Sequence, residues 1–222
     1  MMKTIKINSS YKKQYEEYFR LLLKEADHKT YYDDGAFPSY THKNGLIRWI
    51  FWKRIISALS LGNDFYNKSV LDFGCGGGVI FKYLSGHNCD ITGCDNRYAK
   101  LTYEVSKKLN INAVVYKDLA EIQNKKFDYI FALDVLEHIE DIAGIIDRFH
   151  ELSHNKTVII ISGPTENYLY KIGRQIAGFS GHYHKSNIYA IENKFNEKGY
   201  KMKSMIRLFP VFTLFKISSW TR

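Results

Sequence analysis

The residues best suited to chemistry gather in one stretch, Ser69 to Leu84, which reads SVLDFGCGGGVIFKYL. A carboxylate stands two residues ahead of a run of glycines, spaced Asp72-x-Gly74-x-Gly76-x-Gly78. Glycines in such a turn let the backbone approach a ligand closely. The turn is not a phosphate loop of the GxxxxGK[ST] kind, because the Lys and the hydroxyl that the chemistry needs are absent. Nor does it match the dinucleotide spacing GxGxxG. An acid at the mouth of the turn suits an ammonium group and repels a pyrophosphate. A second acid, Asp95, ends CDITGCD roughly 20 residues on, where a carboxylate can accept both hydroxyls of a ribose. A third, Asp118 in VVYKDL, is placed to meet an adenine edge. The three acids outline a ribose, an adenine and an amino group, with no phosphate.

Those acids need a frame, and the pattern around them supplies one. From Ser69 onward short apolar runs alternate with helical segments. SVLDF, CDITGCD, NAVVYKD, FDYIFALD and KTVIIISG read as strands, while GVIFKYLS, RYAKLTYEVSKKL and DIAGIIDRFHEL read as helices. Near-continuously apolar strands alternating with helices predict a parallel sheet covered on both faces. In such sheets ligands lie at the carboxyl ends of the strands, where each of the three acids falls. After Gly163 comes a looser insertion, PTENYLYKIGRQIAGFSGHYHKS, then a helix, NIYAIENKFNEKG, and two β-rich runs around KMKSMIRLF and VFTLFKISSW. Upstream, Tyr, Phe and Leu recur at helical spacing from Ser10 to Lys24. Tyr31 to Gly45 reads as a loop, and LIRWIFWKRIISALSLG as a second helix, dense in aromatics and carrying Arg48, Lys53 and Arg54.

A ribose, an adenine and an ammonium without phosphates describe S-adenosylmethionine better than NAD. At this point the chain resembles the class I S-adenosylmethionine-dependent methyltransferases, well over Ser69 to Gly163 and loosely elsewhere. VLDFGCGGG is similar to the family's first motif, GCD to its ribose-binding acid, and KDLAEI to its adenine-contacting turn. FDYIFALDVLEHIED is similar to the motif closing strand four in the subset that includes the ubiquinone-biosynthesis O-methyltransferases. The resemblance implies an α/β, Rossmann-like seven-stranded, mostly parallel sheet of order 3-2-1-4-5-7-6, with its last strand antiparallel. Helices would cover both faces, with an N-terminal helical extension. Residues 1–62 would form a helical cap or lid, and 63–222 the cofactor-binding domain, with a substrate-pocket insertion over 164–186. Asp72 and the Gly74, Gly76 and Gly78 backbone would face the methionine part of the cofactor. Asp95, with Asn96 beside it, would take the ribose. Asp118 would accept from the adenine amino group while Leu119 packs on the ring, and Asp134 would complete the cofactor site. In related enzymes an Arg ahead of the glycine loop pairs with the cofactor carboxylate; Arg54 sits at that distance, with Arg48 a rival.

Methyl transfer to oxygen calls for a general base, and histidine is the usual candidate. His138 in VLEHIED, and His182 and His184 in GHYHKS, are the three at plausible places. Bracing the loop after strand four is the plainer role for His138. Asp134, Glu137, His138 and His184 also outline a mixed oxygen and nitrogen metal site. That set is similar to the metal site of small-RNA 2′-O-methyltransferases, although Asp134 stands where that pattern has Glu. A divalent metal is the less favoured of the two readings.

Composition bounds the rest. The net charge of +9 suits an anionic partner, whether nucleic acid, an acidic membrane surface or an anionic small substrate. A Lys- and Asn-rich solvated surface explains the same excess. Neither a recognisable RNA-binding module nor a dense Lys/Arg block is present. The three cysteines lack metal-site spacing and read as reduced thiols of a cytoplasmic protein. No apolar leader opens the chain, and no run reaches the roughly 18 apolar residues of a spanning helix. Peripheral contact with the inner face of a membrane, through aromatics and bases of the N-terminal helices, stays open. The expected reaction is O-methylation of a small or lipid- or glycan-linked metabolite. RNA 2′-O-methylation and a non-catalytic cofactor-binding scaffold are the alternatives. Oligomeric state is not encoded in any motif.

Overall fold

The computed structural model describes residues 5, 7–25, 37–165, 167, 185–209 and 213–222. Seven strands form one sheet: β1 (Ser69–Phe73), β2 (Asp90–Cys94), β3 (Ala113–Tyr116), β4 (Phe127–Leu133), β5 (Ser153–Pro164), β6 (Lys201–Leu208) and β7 (Phe215–Thr221). Their order is β3-β2-β1-β4-β5-β7-β6. The first five run parallel, and β7 lies antiparallel to both β5 and β6. The expected order and the reversed last strand are both present.

Seven helices described accompany the sheet: α1 (Ser9–Glu25), α2 (Phe37–Thr41), α3 (Gly45–Ser60), α4 (Phe81–Ser85), α5 (Ala99–Lys108), α6 (Ile142–Glu151) and α7 (Ile188–Glu197). Two short 3-10 turns, Leu119–Glu121 and Leu136–His138, follow β3 and β4. The central strands bury side chains on both faces, so each face has its own apolar cluster. One gathers Tyr15, Phe19, Trp52 and Leu59 of the N-terminal helices with Val70, Phe131 and Ile160. The other gathers Phe149 and Ile146 of α6 and Phe195 of α7 with Ile130, Ile161 and Trp220. Among the described residues no helix is long and apolar enough to cross a membrane.

Two local expectations fail. Part of the stretch read as a loop, Phe37–Thr41, is helical. Its Pro38 lies in the first turn, where a missing N–H costs nothing. The segment GVIFKYLS does not become helical at the glycines; α4 starts only at Phe81. The reason lies in two phenols of α1 that donate to the Gly78 and Val79 carbonyls.

Candidate cofactor site

β1 ends at the glycine turn, and three of its glycines take left-handed backbone: Gly74 at φ 71°, Gly76 at φ 50° and Gly78 at φ 64°. The turn is tied to β2, since the Gly74 and Cys75 amides both donate to the Cys94 carbonyl, at 2.8 and 3.2 Å. A Cβ on Gly74 would lie 2.4 Å from the Val135 side chain. One on Gly76 would meet nothing within 4 Å, so the turn presents an open backbone cradle there. Asp95 fastens the cradle from the end of β2. Its Oδ2 accepts from the Gly76 amide at 2.9 Å, and its Oδ1 from the Arg97 and Tyr98 amides at 3.0 and 2.7 Å. The Thr102 hydroxyl of α5 donates to the Gly76 carbonyl. Three of the roughly four acceptor positions of the Asp95 carboxylate are thereby used by the protein itself.

Asp72 lies beneath this turn, only 4% exposed. Among the described residues it makes no hydrogen bond and no ion pair to a cation. Burial, and then repulsion from Asp95, hold its carboxyl well above the usual carboxylate range. Tyr15 of α1 and Tyr40 of α2 also face it, and burial pushes both phenols upward, with Asp72 adding to the push. The neighbouring Cys75 thiol is raised by burial and by the two acids. Two carboxylates that repel one another, one buried without a cation, make a site electrostatically suited to a cationic ligand.

Asp118 caps the 3-10 turn after β3. It accepts from the Ala120 amide at 2.8 Å, while Glu121 reaches back to the Asp118 amide at 2.9 Å. Leu119, expected to present an apolar face, is 4% exposed and belongs to the core beneath the turn. The Arg148 guanidinium holds the turn by donating to the Leu119 and Ile122 carbonyls. Asn96 is exposed beside Asp95.

Arg54 is buried, sandwiched between the rings of Phe51 and Phe215, each 4.3 Å from its guanidinium carbon. It pairs with Asp134 rather than standing open at the surface. Asp134 itself has left-handed backbone at φ 54° and accepts from the Ser162 hydroxyl at 3.0 Å. Arg48 instead reaches the His42 carbonyl and lies 3.9 Å from Glu16. After Asp134 the chain turns so that Glu137 is buried beside Gly163, while His138 is exposed. Those two side chains therefore point different ways. Among the described residues no three acids, histidines or cysteines are grouped to hold a metal. His182 and His184, with most of the 164–186 insertion, lie outside the described residues.

Sequence reasoning missed Tyr11, Tyr15, Tyr40, Thr102 and Ser162. The i, i+4 spacing of Tyr11 and Tyr15 marks one face of a helix, but nothing local says what that face meets.

Comparisons with known proteins bear on this arrangement. Residues 47–209 match a family described as a methyltransferase domain. A ubiquinone biosynthesis O-methyltransferase of Hydrogenovibrio crunogenus is 28% identical over 123 residues, covering 53% of this chain and 48% of the relative. One from Pseudomonas syringae pv. tomato is 31% identical over 91 residues, covering 38% and 39% respectively. The chain thus spans about half or less of the length of these curated relatives. Among solved structures, magnesium protoporphyrin IX methyltransferase from Synechocystis, with bound SAH, superposes with a TM-score of 0.63 at 18% identity, covering 93% of this chain and 97% of that one. The N-methyltransferase NodS from Bradyrhizobium japonicum, in complex with S-adenosyl-L-homocysteine, gives 0.62 at 15% identity, covering 94% and 98%. At such identities the structural likeness speaks for the fold.

Proposed function

Because the chain belongs to the S-adenosylmethionine-dependent methyltransferases, we propose that it methylates an oxygen of a small or lipid- or glycan-linked acceptor. The observation that carries the cofactor site is the buried Asp72 at the end of β1, near enough to Asp95 for the two carboxylates to repel, with the open backbone of Gly76 four residues on. S-adenosylmethionine supplies an activated methyl group on a cationic sulfonium. Asp72 holds the ammonium end, the Gly74–Gly78 backbone lies along the methionine part, and Asp95 with Asn96 takes the ribose. Asp95 accepts one ribose hydroxyl at its remaining position, or gives up an amide to accept both. Asp118 and Leu119 border the adenine. Arg54 acts through Asp134, fixing the loop after β4, and the protein's main contribution to rate is alignment of the two reactants.

The acceptor reading is supported by the relatives, which are named as O-methyltransferases. It is also supported by an apolar rim. Trp49 of α3 is 48% exposed and meets the ring of Phe209 at 6.0 Å. Phe209 has left-handed backbone at φ 62°, uncommon for an aromatic residue and of a kind that clusters at ligand clamps. Residues 1–62 serve as a cap over the site, and the 164–186 insertion contributes the acceptor pocket. His182 or His184 is the candidate base, and His138 braces the loop.

Transfer of labelled methyl to phenolic acceptors, with and without a polyprenyl tail, tests this reading. Turnover of either is expected, and it should persist in chelator. Activity that vanishes in chelator and returns with Mg²⁺ or Mn²⁺ supports the metal reading instead, and RNA binding that falls steeply with salt supports the RNA reading. Failure of Asp95→Ala to weaken S-adenosylhomocysteine binding by calorimetry removes the cofactor assignment.

A further inference from the structure

Helix α1 places two phenols in the exit of the glycine turn. The Tyr11 hydroxyl donates to the Val79 carbonyl at 2.6 Å and accepts from the Tyr83 amide at 3.2 Å. The Tyr15 hydroxyl donates to the Gly78 carbonyl at 2.7 Å, and the Lys82 amide faces the same oxygen. Val79 and Tyr83 are four residues apart, as are Gly78 and Lys82. In a regular α-helix each carbonyl would take the amide directly. Each phenol therefore stands where one helical bond would close. That insertion is why α4 starts at Phe81, with residues 78–80 kept as a turn that the Phe81 amide closes on the Gly78 carbonyl at 2.9 Å.

A run of glycines has little conformational preference of its own, so its shape depends on what holds it. Here Asp95 holds the Gly76 amide and Thr102 the Gly76 carbonyl. The two phenols hold the Gly78 and Val79 carbonyls further along the turn, the first of which also accepts from the Phe81 amide at 2.9 Å, from a helix more than sixty residues upstream. Both rings are nearly fully buried, and both pack edge-on against Trp52 of α3, so the hydroxyls are rigidly aimed.

We infer that Tyr11 and Tyr15 are positioning residues for the cofactor, holding open the turn that ends the glycine cradle. The inference rests on the reading that this turn holds the methyl donor. Loss of the hydroxyls lets the helix extend back towards the glycines, since the Val79 carbonyl can take the Tyr83 amide and the Gly78 carbonyl can exchange the Phe81 amide for that of Lys82. The backbone stays satisfied and the rings stay buried, so stability changes little while the cradle changes shape.

The test is S-adenosylhomocysteine calorimetry on Tyr15→Phe, Tyr11→Phe and the double variant. In the double variant the Kd should rise about tenfold, with Tm within about 4 °C of the parent. The acceptor KM should be unchanged. A folded double variant whose Kd stays within about twofold of the parent overturns the inference. If the double variant does not fold, Tyr15→Phe is judged by the same threshold. Gly76→Val separates the two readings. Retained affinity there overturns the cradle assignment and this inference with it. Lost affinity there, with unchanged affinity in the tyrosine variants, overturns the role of the phenols alone.

Discussion

Asp72 is a buried carboxyl that the folded protein prefers to keep protonated. Its folded pKa lies above the unfolded value, so the folded state binds that proton more tightly. The resulting stability is fully present below the unfolded value near 4 and is lost as pH rises towards the folded value, at up to about 1.4 kcal/mol per pH unit. Asp72→Asn carries no such proton. Relative to the parent, its stability in urea titrations should therefore improve as pH rises above the unfolded value of about 4; a gap that stays constant with pH refutes the account. The same carboxyl must ionise to hold an ammonium. Parent affinity for S-adenosylhomocysteine should accordingly tighten as pH rises below the α-amino pKa of about 8, while that of Asp72→Asn stays weak and flat. Asp72 and Asp95 were legible in the sequence as acids at the ends of β1 and β2, because their spacing from the glycines marks those strand ends. The partner of Arg54 was not, because Asp134 lies eighty residues away and the pair forms only when α3 packs across the end of β4. Distance along the chain predicted a ligand for Arg54 where the fold supplies a carboxylate.

The glycine turn shows how one element divides its residues between folding and binding. Gly74 and Gly76 share left-handed backbone, yet a methyl group on the first collides with Val135 and on the second meets empty space. Gly74→Ala should cost about 2–4 kcal/mol in denaturant titration, combining backbone strain with overpacking. Gly76→Ala should cost only about 1 kcal/mol for the backbone, yet its methyl intrudes on the cradle and should raise the cofactor Kd more than about tenfold. Equal stability losses, or an unaffected Kd in Gly76→Ala, contradict that division. The elements themselves were largely visible beforehand. Parallel strands buried on both faces leave an apolar run too continuous to mistake, and α5, α6 and α7 lie within a residue or two of their expected ends. Of the two expectations that failed, the start of α4 was governed by contacts across the fold. α4 starts late because two phenols from α1 occupy its first bonds.

At the scale of the whole molecule, the basic excess that suggested an anionic partner has a structural use as well. Lys201, Lys203 and Arg207 are exposed along β6, the edge of the sheet, where charge discourages pairing with another chain. Composition cannot separate these roles, which is why the acceptor was less legible than the cofactor. Composition also cannot say whether the N-terminal helices are an appendage or part of the core. The buried cluster settles what to expect. Tyr15, Phe19, Trp52 and Leu59 lie almost wholly out of solvent in one body with Val70, Phe131 and Ile160 of the sheet. Each such side chain is worth about 1.5–3 kcal/mol on burial, so the shared surface rivals a domain's whole net stability of about 5–15 kcal/mol. Helices and sheet should then unfold together. Among the chain's three tryptophans, Trp52 reports on α3 and Trp220 on β7. In variants keeping one or the other alone, fluorescence should give a single urea midpoint that coincides with far-ultraviolet circular dichroism. A Trp52 signal lost at lower urea than the Trp220 signal would mean that the helices open independently. The phenols of α1 would then leave the glycine turn before the sheet gives way, and cofactor affinity would fall at the earlier midpoint.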